Sequence, residues 1–185
     1  EHEDAEHEES EYDEHVWTSP VNAIRIAQVI SDTLCALDGD RAETYRRNTA
    51  AYTGKLQELD ASFRAVTGAE VRNTLVFGDR FPFRYFVDEY GFDYYAAFPG
   101  CSTETEASAK TVAFLIDKVR AERIPVVFHI EFSNGKIADT ICESTGAVNL
   151  LFHSCHNVTK AELEQGITYL ELMTRNVEQL KKAVL

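Results

Sequence analysis

The chain has 185 residues, 44% of them hydrophobic, and a formal net charge of −13. Residues 1–15 carry nine Asp and Glu and no Lys or Arg, which leaves 22 acidic against 18 basic residues in the rest. This composition can form a packed core and excludes a disordered chain. It lacks the basic face that nucleic-acid binding needs, so we expect no nucleic-acid partner. No run of about 18 apolar residues occurs, so we expect no membrane-spanning helix.

Residues 1–14 form an acidic segment that contains His2 and His7 and shows no apolar periodicity. Because like charges repel, we expect a mobile loop or tail here. Two interpretations stay open, a solvated acidic stretch and a weak metal-collecting loop. The chain also begins without a signal peptide, so we interpret it as a mature or truncated form.

Two helices are predicted next. Ser19 and Pro20 are typical of a helix start, where a hydroxyl caps the first turn and proline occupies its first position. Apolar residues then recur at helical spacing as far as Leu37, and the Asp-Gly-Asp sequence at 38–40 ends the helix. A second, lightly apolar helix over about 41–65 is typical of one that lies along a surface or bridges two lobes.

Strands and helices alternate from Asn73 onward. The predicted elements are, in order, strand 74–77, helix 81–90, strand 93–98, helix 107–120, strand 125–130, helix 136–144, strand 147–152 and a final helix. The apolar run over 147–152 predicts a buried strand. Thr159 caps the final helix, and Glu162 completes a capping box. This alternation with short loops predicts an α/β fold, with a four-stranded parallel sheet covered by helices.

Metal-binding residue types cluster where the last strand ends. His153, Cys155 and His156 lie within four residues there, and parallel α/β sheets bind ligands at the carboxyl ends of their strands. His15 lies in a second stretch, Asp13 to Pro20. We expect the two stretches to meet around one metal ion, with zinc favoured by the His and Cys side chains. Further candidates at the same sheet edge are Asp79, Cys101 and Glu131.

The four cysteines form no Cys-x-x-Cys pair, which argues against a zinc ribbon or a thioredoxin-type site. Cys35 and Cys142 lie on apolar helix faces and are expected to be core thiols. Cys101 and Cys155 both follow strands, and in an oxidising compartment they could form a disulfide, which would remove Cys155 as a ligand. His129, inside a strand, is expected to be a buried, hydrogen-bonded histidine.

Several motifs resemble one family, the periplasmic or lipid-anchored metal-binding proteins of zinc and manganese ABC transporters, of the high-affinity zinc-uptake type. The matching sequences are Asp13-Glu14-His15-Val16-Trp17-Thr18-Ser19-Pro20, Phe83-Arg84-Tyr85-Phe86, Tyr90-Gly91, Glu104-Thr105-Glu106-Ala107-Ser108 and Ile130-Glu131-Phe132-Ser133. The resemblance covers essentially the whole chain, but only the later part of a full family member. It implies a remnant of the amino-terminal lobe at 15–38, a linker helix at 39–70 and a carboxyl-terminal α/β lobe at 71–185.

The resemblance also implies roles for individual residues. His15 matches a metal-binding histidine of the family. Arg80 stands where the family has a second ligand histidine, with Asp79 beside it, and His153 stands where the family has a metal-binding aspartate. Replacing a carboxylate by an imidazole shifts the expected preference towards zinc and away from manganese.

The function that the resemblance implies is an extracytoplasmic zinc-binding component, lipid-anchored in its full-length form, that delivers the ion to the membrane permease of an ABC transporter. With one lobe missing, the fragment is expected to self-associate through the 20–37 helix. Two alternatives are a hydrolase, with Cys155 and His153 or His156 as nucleophile and base, and an interaction domain stapled by structural zinc. Metal removal would unfold a staple but not a transport protein.

Overall fold

The computed structural model describes residues 13–67, 72–98 and 107–185. Its helices are α1 (Pro20–Leu37), α2 (Ala42–Val66), α3 (Arg84–Tyr90), α4 (Ala109–Glu122), α5 (Lys136–Thr145), α6 (Lys160–Glu164) and α7 (Tyr169–Val184). Its strands are β1 (Thr74–Phe77), β2 (Asp93–Ala96), β3 (Val126–His129) and β4 (Val148–Leu151). Short 3-10 turns cover Val16–Thr18 and Gly39–Arg41. The acidic segment as far as Tyr12, the Glu104–Glu106 part of the family motif and Cys101 lie outside the described residues.

Helices α1 and α2 pair with each other ahead of the sheet. The Ser19 hydroxyl accepts a hydrogen bond from the Asn22 backbone N–H, and Pro20 occupies the first turn of α1, as predicted. The carboxyl half of α2 packs Leu56, Leu59 and Phe63 into the core of the lobe, where α2 also contacts α7. Helix α2 has 25 residues, which corresponds to about 38 Å of length, so it connects α1 to the lobe as a single rigid element.

The sheet is parallel throughout, with strand order β2-β1-β3-β4, which confirms the predicted fold class. The chain leaves β1 towards α3 on one face of the sheet, and it leaves β3 towards α5 on the other face. The exit loops of β1 and β3 therefore diverge, and such a switch point is where open α/β sheets hold ligands.

The core on the α3 face is aromatic. The Phe152 ring lies 5.0 Å from the rings of Phe83 and Phe128 and 5.4 Å from that of Phe86. Because Phe152 directly follows β4, this packing fixes the point from which the β4 exit loop departs. On the opposite face, Leu115 and Val119 of α4 and Ile141 of α5 cover the sheet.

Strand β4 differs from the prediction of a buried strand. It is the last strand in the sheet order, and Val148 is 55% exposed. An apolar run is typical of a strand in the interior of a parallel sheet. Strand β4 is instead an edge strand, with a hydrogen-bonded neighbour, β3, on one side only. The position of a strand in the sheet depends on the crossovers between strands, which the run itself does not encode.

The predicted final helix is divided into α6 and α7. The break contains Gly166, whose φ of 69° is readily adopted by glycine. A second capping box follows, in which Thr168 and Glu171 satisfy each other's backbone N–H groups and start α7. The prediction was wrong here because it used only the first capping box, Thr159 with Glu162, which does start α6.

One face of α1 is apolar and exposed in the described structure. Val29 is 65% exposed and Ile30 is 54% exposed; Ile26, Leu34 and Leu37 are exposed as well. These five residues form the α1 stripe. Among the described residues, no helix combines the length and the apolar character needed to cross a membrane.

Candidate metal site

The two predicted stretches do meet at the carboxyl edge of the sheet. The indole Nε1 of Trp17 donates to the backbone carbonyl of Ser154 over 2.9 Å, and the Tyr169 hydroxyl of α7 donates to the Trp17 carbonyl over 2.7 Å. The 3-10 turn at Val16–Thr18 is thereby held against the β4 exit loop and the start of α7. The sequence predicted this contact, but the residues that make it, Trp17 and Tyr169, were not identified as functional.

His15 is buried within this contact, with 2% of its surface exposed. Its Nδ1 lies 2.7 Å from a carboxylate oxygen of Asp13, and its backbone N–H donates to the same oxygen over 2.8 Å. A carboxylate on Nδ1 fixes the orientation of the ring, an arrangement that also occurs at many metal-binding histidines. Asp13 was missed as an orienting group, although its Asp-x-His spacing was visible in the sequence.

The ring of His156 lies beside that of His15, with 5.5 Å between the ring centroids. Trp17 packs against both rings, at 5.3 Å from His15 and 5.9 Å from His156. Two imidazoles bound to one tetrahedral zinc through Zn–N bonds of about 2.0 Å have their centroids about 5 Å apart. The 5.5 Å spacing of His15 and His156 is compatible with two ligands of one zinc ion and equally with ordinary packing of two rings.

His153 is buried in the same loop as His156, and its hydrogen bonds are made to Asn176 of α7 and to Cys155 within the loop. Its backbone N–H donates to the side-chain oxygen of Asn176, and the Asn176 amide donates to the His153 carbonyl, both over 2.8 Å. Its Nδ1 accepts the backbone N–H of Cys155 over 2.9 Å. In a neutral ring that makes this hydrogen bond, the proton is on Nε2. Asn176 was missed, although it is a polar residue on the apolar stripe of α7.

Cys155 adopts a left-handed backbone conformation with φ of 60°. Burial, with a smaller contribution from Glu131, raises the pKa of its thiol to about 12. Its Sγ lies 3.9 Å from the backbone carbonyl of His153. The thiol is therefore protonated at neutral pH and directed to a carbonyl. The predicted disulfide involves Cys101, which lies outside the described residues.

Glu131 follows β3 and reaches across to the β4 exit loop. One carboxylate oxygen accepts the Ser154 backbone N–H over 2.8 Å. The other accepts the Ser154 hydroxyl and the His156 backbone N–H, the latter over 3.2 Å. The carboxylate thus receives three hydrogen bonds from one loop.

Asp79 is buried at the exit of β1. Its carboxylate accepts the backbone N–H of Arg80 over 2.8 Å and that of Ile130 over 3.3 Å, which ties the β1 exit to the end of β3. The Arg80 guanidinium lies 5.8 Å from the ring centroid of Phe98. Asp79 and Arg80 line a small polar cleft together with Phe132 and Ser133.

Of the predicted candidates, His15 and His156 are brought together. His153 and Cys155 lie in the same β4 exit loop as His156, and Glu131 reaches this loop from the end of β3. Across residues 13–67, 72–98 and 107–185, no three His, Cys, Asp or Glu side chains are grouped so that they could hold a metal ion. His129 is hydrogen-bonded within the fold, as predicted, with its Nδ1 2.6 Å from the side-chain oxygen of Asn149, but it is half-buried and not buried as predicted. Cys35 and Cys142 are half-buried on their helices.

Fold and site together define a class of protein, an α/β ligand-binding lobe with an imidazole pair at the carboxyl edge of its sheet. The family model described as zinc-uptake complex component A, periplasmic (ZnuA) matches residues 1–183. The chain therefore belongs to the ZnuA family.

Its relatives include two curated proteins and a solved domain. The chain is 30% identical to the zinc-binding lipoprotein AdcA of Streptococcus pneumoniae, over 93% of this chain and 34% of AdcA. It is 31% identical to the high-affinity zinc uptake system protein ZnuA of Bacillus subtilis, over 94% of this chain and 54% of that protein. The crystal structure of the Zn(II)-bound ZnuA-like domain of AdcA superimposes with a TM-score of 0.78 at 30% identity, covering 95% of this chain and 65% of that domain. The chain thus spans between one third and about half of these curated relatives.

Proposed function

We propose that this chain is part of an extracytoplasmic zinc-binding component of an ABC uptake transporter, which captures the ion and delivers it to a membrane permease. The structural support is the His15–His156 pair at the junction of the 15–38 segment with the 71–185 lobe. The names of its relatives, a zinc-binding lipoprotein and a zinc uptake system protein, support the same cargo and the same location outside the cytoplasm. The word lipoprotein also supports a lipid anchor in the full-length protein.

In this proposal His15 and His156 supply two of the zinc ligands. A capture site with four protein ligands needs further groups, and these come from outside the described residues. Two imidazoles favour zinc over manganese, since manganese prefers carboxylate and other oxygen ligands. Asp79 serves to join the exits of β1 and β3, and His153 serves to shape the β4 exit loop.

We prefer a protein that captures zinc without catalysing a reaction over the two alternatives, a hydrolase and a zinc-stapled interaction domain. A hydrolase would need Cys155 paired with a base, but Nδ1 of His153 accepts the Cys155 backbone N–H and the thiol faces a carbonyl. A zinc-stapled domain would need the metal for its core, whereas this lobe has an aromatic core that packs without it. We therefore infer a protein that stays folded when the ion leaves.

We also propose that the isolated chain self-associates through the α1 stripe. The stripe is a continuous apolar surface on one helix face, and a second copy of the same face would remove it from water.

The test is a zinc titration of the metal-free protein by calorimetry, with His15→Ala and His156→Ala variants and with thermal unfolding of the apo form. The matched control is His129→Ala, which removes an imidazole bonded to Asn149. The proposal expects saturable binding, lost or weakened at least tenfold in both site variants only, and a folded apo protein. Binding that depends on none of the three histidines would overturn it, and unfolding on metal removal would favour the structural staple.

A further inference from the structure

The carboxylate of Glu131 is the point at which the β3 and β4 exit loops join. It receives the Ser154 N–H, the Ser154 hydroxyl and the His156 N–H. Hydrogen bonds to an ionised carboxylate are shorter and stronger than those between neutral groups. Glu131 is also largely buried, so water competes little for its oxygens.

We propose that Glu131 is a positioning residue for the zinc site: it folds the β4 exit loop around its carboxylate, sets the His156 ring beside His15, and does not itself bind the ion. This rests on the proposed function, because it assigns the role of one residue within that site.

The first support is that the two carboxylate oxygens are already engaged. One oxygen accepts two donors and the other accepts one, and all three donors belong to Ser154 and His156. If Glu131 turned to bind a metal, the Ser154 N–H and hydroxyl would lose their acceptor in a part-buried place, which is unfavourable. The His156 N–H would keep only its 3.3 Å contact with the Ser154 hydroxyl oxygen. Metal binding by Glu131 would therefore release the loop that carries His156.

The second support is backbone strain on both sides of the contact. Phe132, next to Glu131, has φ of 59°, and Cys155, between Ser154 and His156, has φ of 60°. Left-handed conformations are unfavourable for residues with side chains, and they persist where surrounding contacts hold them. The hydrogen bonds to Glu131 supply such contacts, so the sharp turns of both loops depend on this carboxylate.

The third support is the link between backbone and ring position. The Glu131 bond is made to the backbone N–H of His156 itself, while the Trp17–Ser154 bond holds the opposite wall of the site. With its N–H held, the backbone from which the His156 ring projects keeps one position beside His15. Without the bond, the loop can turn the ring away from His15 into solvent.

The test uses Glu131→Gln, which retains side-chain volume but replaces one acceptor oxygen by an amide donor. Cobalt(II) serves as the probe, because its visible absorption reports the ligand set while a titration reports affinity. The comparison variants are His156→Ala, which removes a proposed ligand, and Ser154→Ala, which removes one donor to Glu131 together with the second acceptor of the His156 N–H. Glu143→Gln, an exposed carboxylate on α5, is the control.

We expect Glu131→Gln to weaken cobalt affinity about 10- to 100-fold, the effect of removing groups that orient metal ligands, and to leave the absorption spectrum at saturation unchanged. His156→Ala should change that spectrum, Ser154→Ala should weaken affinity less than Glu131→Gln, and Glu143→Gln should have no effect. A changed spectrum at saturation in Glu131→Gln would overturn the proposal in favour of a ligand role. Unchanged affinity would overturn it as well.

A second measurement needs no metal, so it separates this proposal from the proposed function. In NMR spectra of the apo protein, the Ser154 and His156 amide protons should lie downfield in the wild type. They should move upfield in Glu131→Gln, and the cross-relaxation between the His15 and His156 rings should disappear. If the rings stay together in that variant, Glu131 does not position His156. If wild-type protein binds no cobalt but shows these shifts, the proposed function fails and the positioning role stands.

Discussion

Trp17 and Ser154 are joined by a hydrogen bond across 137 residues of sequence, from the indole N–H to a backbone carbonyl over 2.9 Å. This bond closes the candidate site from the amino-terminal side, because the turn that carries Trp17 also carries His15 at its start. The site therefore depends on a contact between the first described segment of the chain and the last exit loop of the sheet.

Replacing Trp17 by phenylalanine tests that closure. The ring remains, but the donor to the Ser154 carbonyl is lost, so we expect the free energy of unfolding to fall by about 1 kcal/mol. Zinc affinity should fall as well, because the distance between His15 and His156 is no longer fixed. Urea unfolding and zinc titration measure the two effects.

Tyr45→Phe is the matched control for Trp17→Phe, since it removes a side-chain donor to Asp38 in the α1–α2 pair. It should change stability by a similar or smaller amount and leave zinc affinity unchanged. Equal effects of the two variants on zinc affinity would contradict a specific role of Trp17 at the site.

The close approach of β1 and α5 depends on Gly78. A Cβ atom at this position would lie 2.5 Å from the Cα of Ala138, a backbone atom that cannot move alone. Gly78→Ala should therefore cost about 1–3 kcal/mol of stability or more, measured by urea unfolding, because α5 must shift away from the sheet.

Gly54 provides the opposite case within the same chain. It lies inside α2, and a Cβ atom there would meet nothing within 4 Å. Gly54→Ala should raise stability by about 0.5–1 kcal/mol, since alanine loses less backbone entropy in a helix. Destabilisation by Gly54→Ala would contradict the open surroundings described for this position.

The α1 stripe should control the association of the isolated chain. We expect sedimentation velocity to show concentration-dependent dimers or larger species, and Ile30→Glu to shift the population to monomer by placing a charge in the stripe. Leu163 on α6 is another exposed aliphatic residue outside the stripe, so Leu163→Glu is the control and should leave association unchanged. A wild-type monomer at high concentration would disprove self-association.

Stability at acidic pH should depend on the capping box of α7. Hydrogen bonds from Thr168 lower the pKa of Glu171 below its ordinary value of 4.5. The ionised carboxylate therefore stabilises the fold above the unfolded-state pKa, and this contribution is lost as the pH falls through the lowered folded-state pKa.

Glu171→Gln should accordingly reduce stability at pH 6–7 and approach the wild type in stability below about pH 4, by urea unfolding across that range. A constant difference between the two proteins across the range would mean that the carboxylate charge has no part in the cap.

The sequence predicted the strands and most helices because their apolar periodicity is local. It could not place β4 at the sheet edge, since that position depends on the crossover from β2 to β3. The meeting of the His15 and His156 stretches was predicted from their metal-binding residue types and from the family resemblance, since only the second stretch follows a predicted strand. It could not show that Cys155 donates to Nδ1 of His153, or that Glu131 is engaged by Ser154, because these bonds exist only once the loop is folded.

In the proposed site, zinc is held by the imidazoles of His15 and His156 and not by the Cys155 thiol. X-ray absorption at the zinc edge of the zinc-loaded chain tests it directly. We expect imidazole scattering from two rings, with nitrogen and oxygen ligands at about 2.0–2.1 Å, and loss of one ring's contribution in His156→Ala. A sulfur ligand at about 2.3 Å that disappears in Cys155→Ser, or a shell without imidazole scattering, would contradict it.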